Sequence, residues 1–295
     1  MTPVLNLSKL RPSGTPSPSP TIQPQPQHLN LNTPDLELAL VIVCLALLAI
    51  SAWGPGIEQP AHYHAFADRR QLFGVPNLMD VLSNLAFAAL GAVGAWRTWR
   101  MPQGMPSPVQ QNLAGLFFTG LIVTAFCSGW YHLQPDDVGL AVDRYGMTIA
   151  FAGLLGLAAS TRVSERAGQW LALAVLVCGA WSIRISFADG NVLPWAVLQF
   201  GGMALMLGLG CMRPREGALP VSWITVILVY ALAKLLEHAD AQVYQLTNEW
   251  VSGHTLKHVV ASLAALPILA ALAPMTRAGR PLESGAREAT VVAKR

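Results

Sequence analysis

Two histidines four residues apart begin an apolar segment near the end of the chain. They are His254 and His258 in the stretch SGHTLKHVVASLAALP. On an α-helix, residues four apart lie on the same face, so both imidazoles project to one side. A zinc ion held by three histidines, with its fourth position open, is typical of a catalytic rather than a structural site. The pair therefore predicts two ligands of a metal site that needs a third.

His132 is the candidate for the third ligand. It ends the motif CSGWYH, in which Ser128 lies four residues earlier, and Asp143 begins the next apolar segment. Zinc lowers the pKa of a bound water to about 7 and polarises carbonyl groups. A nearby carboxylate can take a proton from that water and return it to a departing amine. These residues favour a metal site that could support hydrolysis of a carbonyl compound such as an amide, with Asp143 as the candidate acid–base group.

Each of these residues also has a simpler interpretation. A histidine pair at a helix start can be polar because it lies at the membrane interface. Ser128 can be a small packing residue between membrane helices, and Asp143 can be a helix cap. Three polar residues that begin an earlier apolar segment at the same predicted end of the bundle have the cap interpretation as an alternative too: Asp80, Ser83 and Asn84. We favour the metal site because ionisable groups in membrane helices are costly and mostly face a protein interior or a wet cavity.

Three further histidines lie in predicted loops and are interpreted as surface residues: His62, His64 and His238. Lys234 and Glu237 end an apolar segment at the depth predicted for the metal site. For these two, and for His238 as a second interpretation, the sequence leaves an internal ion pair and the lining of an entrance as alternatives.

The elements that must position these side chains are membrane helices. Of 295 residues, 53% are hydrophobic and 12% are charged, about half the charged fraction of a soluble domain, and the mean hydropathy is +0.43. A helix needs about 20 apolar residues to cross a bilayer. Eight segments meet this requirement: 36–53, 80–97, 112–132, 141–160, 168–187, 193–211, 221–237 and 253–273. The predicted fold is an all-α polytopic membrane bundle.

The predicted domain organisation follows from these segments. Residues 1–35 contain the Pro/Ser-rich tract RPSGTPSPSP and form a disordered tail, because they cannot bury enough apolar surface to offset their ordering entropy. An extra N-terminal helix, 36–53, is retained rather than cleaved as a signal sequence. The loop 54–79 leads to a seven-transmembrane catalytic core, 80–273, and a tail, 274–295.

Composition excludes several other classes of protein. The four cysteines lie within the apolar segments without CxxC spacing, which argues against a disulfide framework and a thiolate zinc site. The net charge of +3 is spread over loops and tails, so we do not expect a nucleic-acid partner.

Arginines predict the orientation of the chain in the membrane. Pairs of arginines follow every second predicted segment: Arg97 and Arg100, Arg162 and Arg166, Arg213 and Arg215, Arg277 and Arg280. Positive residues next to short loops favour the cytoplasmic side. We therefore expect cytoplasmic termini, with the 54–79 loop and the metal site at the non-cytoplasmic face.

The pattern S-x-x-x-H, then an aspartate that opens the next segment, then H-x-x-x-H, resembles the CREST superfamily of seven-helix membrane hydrolases. WGP at 53–55 and DVLSNLAF at 80–87 look more like the alkaline ceramidases, and FADRRQLFGVPN and SGHTLKH look like bacterial members of that group. The resemblance covers about residues 53–273. It implies that His132, His254 and His258 bind zinc, that Asp143 assists the metal-bound water, and that Ser128 lies in the site. For a bacterial member, the location it implies is the inner membrane.

Calcium is the second ion that the resemblance raises. The eukaryotic enzymes bind it through an acidic stretch after WGP, which is replaced here by IEQPAHYHAFADRR. The nearest substitutes are Asp68, Asn77 and Asp80. Calcium therefore stays an alternative that this departure weakens.

The predicted function is zinc-dependent hydrolysis of the N-acyl bond of ceramide or a related lipid amide, with the bilayer as the source of substrate. One alternative keeps the same site but cleaves another lipid amide or ester. A second is a receptor-like or structural membrane protein whose metal is not catalytic. A transporter ranks lowest, because its polar residues would be spread through the bilayer rather than gathered at one end. The sequence sets no oligomeric state.

Overall fold

The computed structural model describes residues 32–101 and 106–277, with the side chains of residues 274–277 left out. Most of the tail predicted at residues 1–35, and residues 278–295 of the tail predicted at 274–295, lie outside the described residues. Thr33, Pro34 and Asp35, which were predicted to belong to the first tail, form the start of a helix.

The described chain folds into helices joined by loops. In chain order they are α1 (Thr33–Trp53), α2 (Leu78–Trp99), α3 (Pro108–Leu133), α4 (Asp137–Arg162), α5 (Glu165–Asp189), α6 (Leu193–Cys211), α7 (Trp223–His238), α8 (Asp240–Leu246) and α9 (Gly253–Ala273, in a helix that continues to Arg277).

Seven of these helices are long and apolar enough to cross a membrane, namely α1 to α6 and α9. The protein is thus an all-α bundle of the multi-pass membrane type, as predicted. Each of the eight predicted apolar segments coincides with a helix. The seventh differs in length, because α7 has 16 residues. At 1.5 Å per residue α7 is about 24 Å long, which is shorter than a hydrocarbon core of about 30 Å.

Side-chain caps set the points where several helices begin. Serine or aspartate side chains accept a hydrogen bond from the backbone N–H three residues later at the starts of α3, α4, α5 and α9. Such caps satisfy backbone donors that have no partner within the helix. At α9 the cap is Ser252, which fixes the first turn of the helix immediately before His254.

The helices α3 and α4 pack closely against each other at two glycines. A Cβ atom added to Gly153 of α4 would lie 2.2 Å from the backbone nitrogen of Phe117 in α3. One added to Gly120 of α3 would lie 2.4 Å from the backbone nitrogen of Ala150 in α4. Small residues let membrane helices approach this closely. The approach holds the end of α3, with Ser128 and His132, against the first turns of α4.

Three helices depart from regular α geometry. α2 is interrupted at Asn84, α9 at Ala264 and Ala265, and α6 contains a π-helical turn at Val197–Gly201. π-helical turns are frequent at functional sites. The turn in α6 carries Gln199, whose side chain lines the main apolar cavity described below.

α1 packs at the edge of the bundle. Only 6% of its most apolar 18-residue stretch is buried, and Leu40 is its one buried residue. Most of its large apolar side chains are exposed. This distribution suits a helix that meets lipid over most of its surface.

Candidate metal centre

Three histidines from two distant helices converge inside the bundle. His132 ends α3, and His254 and His258 begin α9. Each offers a ring nitrogen within 4.8 Å of those of the other two. Their exposed fractions are only 1%, 7% and 4%, respectively. The structure thus brings together the three ligands that the sequence proposed, in a cluster that could hold a metal ion.

The distance between two of these nitrogens fits a shared metal better than a hydrogen bond. Nε2 of His254 lies 3.4 Å from Nε2 of His132. A nitrogen donor and its acceptor are normally about 2.7–3.2 Å apart. Two nitrogens bound to one tetrahedral zinc, each at about 2.0–2.1 Å, are about 3.3 Å apart. Three imidazoles suit zinc as well as other transition metals. The residues present therefore fit a zinc ion.

A serine from α2 orients His258. The Ser83 hydroxyl donates to the carbonyl oxygen of Asp80 at 2.8 Å and lies 2.8 Å from Nδ1 of His258. A hydroxyl has one proton, so in this arrangement Nδ1 is the donor to Ser83. The lone pair of Nε2 is then free for a metal. Hydrogen bonds of this kind commonly fix the tautomer and orientation of a ligating histidine.

Backbone contacts hold the other two histidines. The side-chain amide of Asn77 donates to the carbonyl oxygen of His132 at 2.9 Å. The backbone N–H of His254 donates to Asp240, at the start of α8, at 2.8 Å. The second oxygen of Asp240 accepts from the backbone N–H of Ala67 at 2.9 Å. Asp240 therefore links the start of α9 to the connection between α1 and α2.

This connection, residues 54–77, covers one side of the histidine cluster. The ring of Phe66 lies 4.7 Å from that of His132 and 4.5 Å from that of His254, measured between centroids. Asp68 forms an ion pair with Arg70, which also donates to the carbonyl oxygen of Trp250. Burial raises the pKa of Asp68, but the hydrogen bonds and charge of Arg70 outweigh that effect, so its pKa lies below the usual value. The 54–77 loop is thus fixed over the site.

Asp143 is not a helix cap. α4 begins at Asp137 after a cap formed by Asp136, so Asp143 lies in its second turn. Asp143 is 9% exposed, and its Oδ1 atom has no hydrogen-bond partner among the described residues. Ser128 lines the same cavity as Asp143. A buried carboxylate oxygen without a partner is costly, and an incoming ligand could supply the missing hydrogen bond.

Ser128, Asp143 and His258 line one end of an apolar cavity. The cavity has a volume of about 750 Å³, counted with the part that opens to the outside. Its other walls are mostly apolar and include Phe117 and Phe151. An apolar cleft with a few converging polar groups is the usual form of a small-molecule site.

Lys234, Glu237 and Lys257 also line this cavity. The Glu237 carboxylate forms ion pairs with both lysines, and the distance from Nζ of Lys257 to Oε1 of Glu237 is 2.5 Å. The ion-pair alternative that the sequence left for Lys234 and Glu237 is therefore confirmed, and both residues line the cavity. Lys257 of GHTLKH joins them, which sequence reasoning missed.

The three substitutes considered for a calcium site have separate partners. Both oxygens of Asp68 accept from Arg70. Asn77 donates to the backbone of α3, and Asp80 accepts from the hydroxyl of Thr255 at 2.6 Å. The calcium alternative gains no support from these contacts.

Several residues around the cluster have partners that the sequence did not assign. Ser83 was placed with the polar residues at this end of the bundle, with a helix cap as the alternative, and it contacts His258. Phe66 begins the quoted stretch FADRRQLFGVPN, and Asp240 precedes His254 by 14 positions, but neither had a role assigned. Half-buried His64, interpreted as a surface residue, contacts the Tyr131 hydroxyl at 2.9 Å. Their roles appear only when the helices are packed together.

No protein-family model matches the chain, and none of the curated proteins shows significant similarity to it. The resemblance to the alkaline ceramidases therefore stays a prediction that rests on the motifs quoted above.

Proposed function

We propose that the protein is a zinc-dependent membrane amidase that hydrolyses the N-acyl bond of ceramide or a related lipid amide. The observation that carries this proposal is the convergence of three buried imidazoles, one of which, His258, lines an apolar cavity together with Asp143. When bound by His132, His254 and His258, zinc would supply Lewis-acid activation of a water molecule and a carbonyl group.

The side chains around the histidines have the properties that amide hydrolysis needs. The unpartnered Oδ1 atom of Asp143 can accept a proton from the attacking water and return it to the departing amine. The Ser128 hydroxyl can donate a hydrogen bond to the carbonyl oxygen, where negative charge develops. The products are a fatty acid and a long-chain base.

The cavity suits a lipid substrate. Its apolar walls can hold an acyl chain, while its polar end places the amide next to Asp143 and the histidines. Within a membrane bundle, such a cavity can receive a substrate that resides in the bilayer. The proposed orientation counts α7 as an eighth crossing. It has cytoplasmic termini and the histidines near the non-cytoplasmic face, in a bacterial inner membrane, and it rests on the arginine pattern and the resemblance.

Metal analysis and a lipid hydrolysis screen test the proposal together. The full chain, purified in detergent, is assayed for metal content and incubated with a total lipid extract with and without a chelator. Mass spectrometry then identifies released fatty acids and amines. We expect a zinc content near one per chain, and lipid amide hydrolysis that the chelator abolishes. Hydrolysis of an ester instead would keep the site but change the substrate class.

Two variants and one control separate the roles of the residues. His254→Ala should lose both metal and hydrolysis. Asp143→Asn should keep the metal and lose a factor of about 10²–10⁴ in kcat, which is the usual contribution of an acid–base group. His62→Ala, at an exposed loop position, should change neither. Metal and activity that both persist in His254→Ala would contradict the proposal. Stable metal binding without turnover of any lipid would favour the non-catalytic alternative.

A further inference from the structure

Two of the four lysines in the chain meet at a single carboxylate inside the bundle. Lys234 and Glu237 lie at the end of α7, and Lys257 lies in the first turns of α9 between the two histidines. Glu237 accepts from Lys234 through one oxygen and from Lys257 through the other. Two ammonium groups and one carboxylate leave this cluster with a formal surplus of one positive charge.

Helix packing accounts for only part of this cluster. The pair of Glu237 and Lys257 joins α7 to α9 and neutralises the carboxylate. Lys234 adds a second cation on the same helix as Glu237. A charge within a membrane bundle is costly unless it has a partner, so a surplus cation indicates a function by default.

The lysines retain donors for a ligand in the cavity. An ammonium group has three N–H donors, and Glu237 takes one from each lysine. Their side chains are 24% and 20% exposed, and both line the cavity that contains Ser128, Asp143 and His258. A group bound by these donors would therefore lie near the residues of the proposed hydrolysis.

The negative charge of Asp143 does not cancel the surplus positive charge of the lysine cluster when a metal is bound. Asp143 is the remaining carboxylate among the described residues that line the cavity. A divalent cation at the three histidines would exceed its single negative charge. The polar end of the cavity is then positive, which favours an anionic ligand group.

We propose that Lys234 and Lys257 bind an oxyanion, a carboxylate or a phosphate, on the amine half of the lipid amide. This inference rests on the proposed function and narrows its substrate class to acidic lipid amides, with neutral ceramide as the poorer substrate. Glu237 positions the two ammonium groups side by side. The acyl chain occupies the apolar part of the cavity, and the oxyanion selects the substrate.

Matched acidic and neutral amides test the inference. The probes are N-oleoylglycine and its neutral amide N-oleoylglycinamide, and N-oleoylethanolamine with and without a phosphate on its hydroxyl. For the full metal-bound chain in detergent we expect tighter binding and a higher kcat/KM for the acidic member of each pair. The expected preference is about 10–100-fold, the range for hydrogen bonds to a charged group. Comparison of the two acidic probes shows whether carboxylate or phosphate is preferred.

Three variants distinguish an anion site from a structural ion pair. Lys234→Met should reduce the preference about tenfold or more, and Lys234→Arg should restore most of it. Glu237→Gln raises the positive charge, so it should maintain or increase the preference for the acidic probe. Arg184→Met removes an exposed arginine and should change nothing. Metal content and elution volume verify that each variant is folded.

The outcomes separate this inference from the proposed function. Tight, Lys234-dependent binding of acidic probes without hydrolysis would support the anion site and contradict the amidase. Hydrolysis with equal kcat/KM for acidic and neutral probes would support the amidase and overturn the anion site. If Lys234→Met and Glu237→Gln each lower kcat/KM equally for the acidic and the neutral probes, Lys234 and Glu237 form a structural ion pair. If binding of free oleate depends on Lys234 but the preference between amides does not, the cluster binds the fatty acid product, and the headgroup assignment is wrong.

Discussion

At the scale of single residues, the contact between Ser83 and His258 decides which imidazole nitrogen is available. The Ser83 proton goes to the backbone of Asp80, so His258 donates through Nδ1 and presents Nε2 to the cluster. This orientation is set before any metal binds. It reduces the rotamer entropy that the ring would lose on ligation. Ser83 therefore acts by orienting His258.

Ser83→Ala should weaken metal binding while the three ligands stay in place. Loss of a hydrogen bond to a ligating histidine typically reduces metal affinity about 10- to 100-fold. Titration of the purified variant with zinc against a competing chelator measures this change. Ser262→Ala is the matched control, because its hydroxyl donates within its own helix to Val259. Equal affinities of Ser83→Ala and the unmodified chain would show that Ser83 does not orient His258.

At the scale of helices, the close approach of α3 and α4 sets the distance between the histidine cluster and Asp143. His132 lies on α3 and Asp143 on α4, and the glycines of these helices let their backbones touch. A side chain at that contact would separate the helices by the width of at least one methyl group. Because proton transfer needs groups within hydrogen-bond reach, such a shift would also affect the chemistry.

Gly153→Ala should destabilise the bundle and reduce hydrolysis. Its Cβ would meet the Phe117 backbone, which cannot turn away as a flexible side chain can. Overpacking of this kind costs about 1–3 kcal/mol. Gly129→Ala is the control on α3, because no described atom outside its own stretch of helix lies within 4 Å of its added Cβ. Unfolding in a denaturing detergent gives both free energies, and a Gly153→Ala variant as stable as Gly129→Ala would refute the packing argument.

At the scale of the whole molecule, the histidine cluster joins parts of the chain that are far apart. His132 and His254 are 122 positions apart in the sequence. The 54–77 loop adds Phe66 to the cluster, and α2 adds Ser83. A metal ion at this point would therefore bind the folded bundle and not its separate segments. Binding to the folded state alone stabilises it in proportion to the logarithm of the free metal concentration.

Zinc should raise the thermal unfolding temperature of the purified protein, and a chelator should lower it. At a free concentration of 100 times Kd, the gain in unfolding free energy is about 2.7 kcal/mol. Fluorescence-detected melting at a series of zinc concentrations measures the shift. The same zinc series should leave the unfolding temperature of His254→Ala unchanged. A similar rise in both proteins would indicate binding elsewhere.

Much of the architecture follows from the sequence because the bilayer imposes simple rules. A membrane helix needs a long apolar run and must satisfy its backbone groups internally. The eight apolar segments accordingly match helices. The exception is α7, which ends at His238 after 16 residues and is therefore shorter than the seven long apolar helices. Hydropathy measures composition and not the point where a helix stops, so the length of α7 was not predictable.

The histidine cluster was also predictable, because helical spacing pairs His254 with His258 and topology gives His132 the same depth. Depth along a helix does not determine which faces meet across the bundle, and rotation about each helix axis is set by packing. The sequence by itself therefore determined the helical class, the ligand types and their level in the bundle. Only the tertiary structure decided that Ser83 holds His258, that Phe66 covers the cluster and that Lys257 shares Glu237 with Lys234. Those contacts join residues on different elements, whose relative rotation depends on side-chain packing that no local pattern encodes.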